Sequence, residues 1–289
     1  MPDIIIGGST CQALAKEISD ELQVELGSLS VKRFPDGEIY LRVESDVKGK
    51  SCVVVQSTCR PQDSTFFELL SLIVTLKELG AKEVKTVVPY YGYGRQDKSF
   101  NPGEAVTARV AAKHISMHSD EFYTLNIHEE GILKFFNIPV HSLDASPVLG
   151  EYFKGYNLEK PIVIGPDNGA SRLAKGTASV IKCKFDTLEK RRIAPGEVQT
   201  EAKKLAVADK DVILVDDMID YGSTMLEAIS ILKAQKAGNI LVGCVHPVLT
   251  GNVVGRLFSF GAIDVIATNT ISSQISFITV SGIIAEALR

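Results

Sequence analysis

Short, largely apolar runs alternate along the whole chain with longer stretches whose apolar residues recur at helical spacing. The runs Ile4–Ile6, Cys52–Val55, Val84–Val88, Ile162–Ile164, Val212–Val215 and Ile240–Val245 are rich in Val and Ile and read as buried strands. Between them, segments 10–25, 64–79, 105–117, 223–236 and 281–288 carry helix-spaced apolar positions. Strands that are apolar at every position, and not at every second one, need cover on both faces. Their alternation with helices predicts βαβ units and an α/β fold of mostly parallel sheets flanked by helices.

One pattern occurs twice. Val53-Val54-Val55-Gln56 leads through a polar loop to Ser64-Thr65-Phe66-Phe67-Glu68, a helix, Gly80, a strand and Pro89. Ile213-Leu214-Val215-Asp216 leads, at closely similar spacing, to Ser223-Thr224-Met225-Leu226-Glu227, a helix, Gly238, a strand and Pro247. Ser/Thr N-caps and Gly C-caps are common, so each half alone is generic. Duplication explains the shared order of all the parts. It predicts two similar domains, 1–145 and 146–289, with a boundary in 142–160, where Asp144, Pro147, Gly155 and Pro161 cluster.

Composition narrows the function classes. A chain of 289 residues can build two cores. A net charge of -4 argues against a general binder of nucleic acid or of membrane surfaces. Anionic small substrates stay open, provided local Lys, Arg or metal ions offset the repulsion. The five cysteines (Cys11, Cys52, Cys59, Cys183, Cys244) are scattered without a CxxC pair, which speaks against a disulfide framework or a zinc site and for a reducing compartment. The start, MPDIIIGGST, lacks the basic region and long apolar stretch of a signal peptide, and no run approaches the roughly 20 apolar residues that span a bilayer. The expectation is a cytoplasmic protein.

Residues 212–224 carry the most chemistry: Val-Ile-Leu-Val-Asp-Asp-Met-Ile-Asp-Tyr-Gly-Ser-Thr. A buried strand delivers Asp216 and Asp217 towards its carboxyl end, where ligands bind in open α/β sheets. A turn at Gly222 then enters a helix at Ser223 or Thr224, whose free N–H groups and hydroxyls make a phosphate cradle. Two carboxylates beside a bare phosphate would repel it, but they can accept hydrogen bonds from vicinal hydroxyls. A sugar phosphate satisfies both demands.

This thirteen-residue pattern resembles the ribose-phosphate loop of the type I phosphoribosyltransferases. Five further motifs lie outside a simple transferase: Phe-Pro-Asp-Gly-Glu at 34–38, Arg-Gln-Asp-Lys at 95–98, Asp-Asn-Gly-Ala at 167–170, Leu-Glu-Lys-Arg-Arg at 188–192 and Thr-Asn-Thr-Ile at 268–271. In this order and spacing the chain resembles the ribose-phosphate pyrophosphokinases over essentially its whole length. A phosphoribosyltransferase that consumes phosphoribosyl diphosphate, or a non-catalytic partner subunit, are the rival readings.

The resemblance implies a Mg²⁺-dependent kinase of nucleotide biosynthesis, a transferase that moves the diphosphate of ATP to the C1 hydroxyl of ribose 5-phosphate. Asp216 and Asp217 would hold the ribose hydroxyls, with Asp220, Tyr221, Gly222, Ser223 and Thr224 on the 5-phosphate. Asp167, Asn168, Gly169 and Ala170 would receive the diphosphate, with Asp167 at a metal ion. Phe34, Asp36 and Glu38 would line the adenine pocket of a neighbouring subunit, implying a homo-oligomer, at least a dimer. Arg95, Gln96, Asp97 and His128 would bind ATP, His128 with its metal, and Lys190 and Arg192 would be catalytic. The chain departs from the family pattern at Asn126, often Asp, and at Ala170, often Gly. Alanine still offers a backbone N–H there, so diphosphate binding survives unless the position needs a positive φ.

Overall fold

The computed structural model describes residues 1–188, 190–194, 197–202 and 204–289, and for 190–194 and 197–202 the backbone alone. The chain forms two compact units: Met1–Leu143 with Thr270–Ser272 and Thr279–Arg289, and Asp144–Asn269 with Ser273–Ile278.

In the first unit, β1 (Ile4–Gly7), α1 (Gln12–Leu22) and β2 (Glu25–Leu26) precede a hairpin of β3 (Leu29–Arg33) and β4 (Ile39–Val43). Then come β5 (Ser51–Val55), α2 (Gln62–Glu78), β6 (Glu83–Val88), α3 (Thr107–Ser116), β7 (Glu121–Leu125) and β8 (Val140–Leu143). The second unit runs α4 (Ser146–Lys154), β9 (Ile162–Gly165), α5 (Ser171–Ile181), β10 (Lys184–Thr187), β11 (Lys190–Ala194), β12 (Glu197–Ala202) and β13 (Val212–Ile219). It closes with α6 (Ser223–Ala234), β14 (Ile240–Pro247), α7 (Val253–Phe260), β15 (Asp264–Thr268) and β16 (Ser276–Ile278). The last helix, α8 (Ser281–Leu288), belongs to the first unit.

Each unit holds a parallel six-stranded sheet, ordered β2-β1-β5-β6-β7-β8 in one and β10-β9-β13-β14-β15-β16 in the other. The orders correspond strand for strand. Each unit also inserts an antiparallel two-stranded hairpin at the same point of the topology, β3–β4 before β5 and β11–β12 before β13. The duplication therefore extends further than the repeated strand–loop–helix motif. The inner stretches of β1 and β13 are apolar at consecutive positions because both faces are covered. Ile4, Ile5 and Ile6 are fully buried, as are Val212, Ile213, Leu214 and Val215.

Three local features differ from the sequence reading. Segment 142–160 contains a helix, α4. Its Pro147 sits in the first turn, where a missing N–H costs nothing, and Gly155 follows its end, so two residues that resemble linker punctuation delimit a helix. Residues 179–181 complete α5, and strand β10 begins only at Lys184, whereas the apolar run suggests a strand over 179–185. The second unit ends at Ile278, and not at 289, because the buried Ile284, Ala285 and Leu288 of α8 pack it against α1. The Arg289 guanidinium also donates to the Glu21 carbonyl at 3.2 Å. Among the described residues, no helix is long and apolar enough to cross a membrane.

Candidate active site

In the second unit the chain leaves β9 through α5 to β10 on one side, then returns to β13 on the other. The carboxyl ends of β9 and β13 therefore flank the point where strand order reverses, the crevice in which open α/β sheets bind ligands. Pairing of β13 with β9 stops at Leu214 opposite Ile164, while β13 continues beside β14 to Ile219. Asp216 and Asp217 thus lie on the strand itself, past the point where the sheet opens.

The two acids are half-buried. Asp216 accepts from the Asp217 N–H at 2.9 Å, and Asp217 from the Met218 N–H at 2.8 Å. Desolvation pushes the Asp216 carboxyl well above the usual range, and the charges of Asp217 and then Asp167 add to the shift. The last contribution joins two loops that lie far apart in sequence: Asp167, after β9, is within electrostatic reach of Asp216 on β13.

The loop after β13 has the form its residues demand. Gly222 stands at φ 78 as the N-cap of α6, and a Cβ there would lie 2.3 Å from the Val253 side chain of α7. Glycine is required on both counts. The exposed N-terminus of α6 presents Ser223 and Thr224, with Tyr221 63% exposed beside them.

Loop 167–170 forms one turn of 3-10 helix, Asn168–Ala170, leading into α5. Asp167 caps it by accepting from the Gly169 N–H at 2.8 Å. Ala170 has φ -80, so alanine is unstrained where the family pattern often has glycine. Asn168 accepts from the Thr187 hydroxyl at 2.9 Å, tying this loop to the end of β10 just before the Lys190 hairpin. Lys190 pairs across that hairpin with Ala202, and Arg192 with Thr200. The side chains of both residues lie outside the described residues.

In the first unit, the loops after β6 and β7 come together. A Cβ on Gly94 would lie 3.5 Å from the His128 Cβ, so Arg95 and His128 share one edge of the sheet. Arg95, Gln96 and His128 are exposed, and Asp97 is half-buried. Gln96 bonds the Thr107 hydroxyl at the start of α3, and the Glu104 carboxylate accepts from the Phe100 and Asn101 N–H groups at 2.7 and 3.0 Å. Asn126 adopts φ 35, a left-handed conformation that asparagine tolerates better than most residues. Phe34, Asp36 and Glu38 occupy the β3–β4 turn, apart from the six-stranded sheet. There Gly37 has φ 95, the Glu38 N–H donates to Asp36 at 3.1 Å, and Phe34 meets Tyr40 edge-on at 5.9 Å.

The first unit's own reversal point, between β1 and β5, is filled by its side chains. Gln56, in the place of Asp216, accepts from the Thr10 N–H and hydroxyl, and Glu68 accepts from the Ser9 N–H and hydroxyl, both at 2.7 Å. A Cβ on Gly8 would lie 2.3 Å from Gln56 Oε1. The repeated sequence pattern sets Gln56 at the position of Asp216 but carries no sign of this internal closure. It also passes over Thr187 and Arg256, which sit in no motif.

Among the described residues, no group of three or more His, Cys, Asp or Glu forms a ready-made metal site. Mg²⁺ needs no such cluster, because this hard cation takes few protein oxygens and retains water and phosphate ligands; a single carboxylate of the kind Asp167 offers is chemically sufficient. Burial raises the Cys52 and Cys59 thiols to about 11, which favours the protonated form at neutral pH.

Paired acids on the strand at a reversal point, followed by a glycine-capped helix, mark the second unit as phosphoribosyltransferase-type; the first unit repeats its strand order with Gln56 and Ser57 in place of the acids. The family model described as the N-terminal domain of ribose phosphate pyrophosphokinase matches residues 4–118, and that of the phosphoribosyl transferase domain matches 145–256. The ribose-phosphate pyrophosphokinase of Methanosarcina acetivorans is 43% identical over 99% of both chains. That of Bacillus subtilis is 34% identical over 95% of this chain and 89% of its own. The crystal structure of phosphoribosylpyrophosphate synthetase from Mycobacterium smegmatis matches with a TM-score of 0.87 at 28% identity, covering 99% of this chain and 97% of that one. The chain belongs to the ribose-phosphate pyrophosphokinase family, a family of enzymes.

Proposed function

We propose that the chain transfers the β,γ-diphosphate of ATP to the C1 hydroxyl of ribose 5-phosphate, giving 5-phosphoribosyl 1-diphosphate and AMP. The observation that carries this reading is the paired carboxylate of Asp216 and Asp217 beside the glycine-capped start of α6, with Asp167 in electrostatic reach. Hydroxyl acceptors and a phosphate cradle stand side by side, as ribose 5-phosphate requires.

In this reading Asp216 and Asp217 hold the ribose hydroxyls, and residues 220–224 hold the 5-phosphate. The loop 167–170 orients the diphosphate. Arg95, Gln96, Asp97 and His128 bind ATP, and Phe34, Asp36 and Glu38 contribute the adenine pocket of a second subunit, so the working unit is at least a dimer. We assign ATP to the half 1–145, and ribose 5-phosphate and diphosphate to the part of 146–289 that forms the second unit. Asp167 and His128 are the residues we assign to Mg²⁺, which when bound offsets phosphate charge.

The C1 oxygen attacks the β-phosphorus in line. The new C1–O–P bond forms as the bridging bond to the α-phosphate breaks, AMP leaves with the electron pair, and the hydroxyl proton is released. Catalysis of this kind consists of positioning and of stabilising charge on phosphoryl oxygens, which we assign to Lys190 and Arg192. The test is incubation of the purified chain with ribose 5-phosphate, ATP and Mg²⁺, followed by chromatography. AMP and phosphoribosyl diphosphate should appear in equal amounts. ADP in place of AMP would mean attack at the γ-phosphorus and would end the proposal.

A further inference from the structure

The ribose-phosphate loop has no cation of its own. From Val212 to Leu232 the chain carries Asp216, Asp217, Asp220 and Glu227 and neither Lys nor Arg. A sugar phosphate near its dianionic form meets the N–H groups of α6, but a helix start offers only about half an elementary charge. Three nearby carboxylates oppose it. Positive charge on a neighbouring element would offset them.

Helix α7 brings it. The Arg256 guanidinium carbon lies 5.1 Å from the centroid of the Tyr221 ring, and its Nη1 donates a long hydrogen bond, 3.4 Å, to the Tyr221 carbonyl. The segment leading into α7 is fastened to the same loop: the Leu249 N–H donates to the Ile219 carbonyl at 2.9 Å and the Thr250 N–H to that of Asp220 at 3.2 Å. Val253, in the first turn of α7, fills the space that a side chain at Gly222 would need. The guanidinium and the phosphate cradle are thereby held as one piece. Arginine suits the position better than lysine, since its planar face stacks on the ring and donors remain for a phosphate.

We propose that Arg256 is a specificity-determining residue for the 5-phosphate. Its guanidinium, seated on Tyr221, supplies the positive charge that lets an acidic loop accept a phosphate ester. The proposal rests on reading residues 216–224 as the ribose 5-phosphate site.

Calorimetric titration of the full chain with ribose 5-phosphate tests it, comparing wild type, Arg256→Met and Arg256→Lys, with Mg-ATP as the control ligand. Methionine keeps apolar length and loses charge, so Arg256→Met should raise the Kd for ribose 5-phosphate roughly 10- to 100-fold, the range for losing a charged hydrogen bond. The Kd for Mg-ATP and the thermal midpoint should hold, Arg256→Lys should fall between, and wild-type binding should weaken more steeply with added salt. Arg256→Gln makes the same comparison if the methionine variant does not fold. Wild-type affinity and salt dependence in the neutral variants would overturn the role of Arg256 alone. Failure of the wild type to bind ribose 5-phosphate would overturn the reading of the loop itself.

Discussion

Gln56 accepts two hydrogen bonds from Thr10, from the backbone N–H at 3.1 Å and from the hydroxyl at 2.8 Å, at the position that Asp216 holds in the second unit. One carboxamide thus closes a crevice that its acidic counterpart leaves open to a ligand. Gln56 is fully buried, and Glu68, 3% exposed, binds Ser9 in the same crevice. The polar groups of the first unit's copy are thus bonded to one another.

Gln56→Ala should therefore lower stability by about 1–3 kcal/mol, the range for stranding partners of a buried hydrogen bond. Ribose 5-phosphate affinity should not change. Urea unfolding and calorimetry read the two effects separately. Weakened sugar-phosphate binding with unchanged stability would show that the first unit's crevice takes part in the reaction.

Lys190 is the first residue of β11. Loss of a preorganised contact to a developing phosphoryl charge costs on the order of 10²–10³ in turnover. Lys190→Ala should show a fall of that size in AMP release, with Mg-ATP and ribose 5-phosphate still bound. Near-normal turnover would remove Lys190 from the chemistry.

Asp216 sets stability against function. Desolvation first, then the neighbouring Asp217 and Asp167 charges, raise its folded pKa above the unfolded value. For an acid shifted upward, the cost to folding is absent below the unfolded pKa. It grows as pH rises from about 4 towards the folded pKa, and above that it is fully present. Asp216→Asn should consequently stabilise the ligand-free chain near neutral pH, gain less near pH 4, and lose affinity for ribose 5-phosphate. Urea midpoints at the two pH values decide it. A variant less stable at neutral pH than at acid pH, relative to wild type, contradicts the sign.

Much of this was legible in the residues. The apolar runs at Ile4–Ile6 and Val212–Val215 and the helix-spaced segments at 64–79 and 223–236 recur as strands and helices, because two-sided burial leaves so clear a pattern. The turn at Gly222 into a helix at Ser223 was legible because glycine followed by hydroxyl residues is a common helix start. Helix α4 was not, since Pro147 and Gly155 mark helix ends and loops alike. Nor was the partnership of Arg256 with Tyr221. A cation on a separate helix has no sequence signal until the chain folds.

Ala170 answers a question that its motif raises. Its φ of -80 lies in the region that any L-residue adopts, so the glycine often found there is not needed for backbone geometry. Ala170→Gly should leave diphosphate transfer within about twofold and reduce stability by roughly 0.5–1 kcal/mol through unfolded-state entropy. A marked gain in turnover would indicate that the alanine side chain obstructs the diphosphate.

Thr187 links two loops that we assign to one reaction. Its hydroxyl donates to Asn168 at 2.9 Å in the diphosphate loop, and the next residue, Leu188, donates its N–H to the Gly165 carbonyl at 2.9 Å. Both bonds anchor the chain just ahead of β11, which carries Lys190. Thr187→Val keeps the shape and β-branching of the side chain and removes only the donor, so the strand should persist. If the bond sets where the hairpin begins relative to the diphosphate loop, kcat should fall about 10-fold, because misplacement acts on the positioning of reacting groups. The KM for ribose 5-phosphate, bound by the loop after β13, should stay near wild type, and Thr187→Ser should restore turnover. A rise in KM with kcat intact would place Thr187 in substrate binding, and no change in either would make the bond a feature of packing alone.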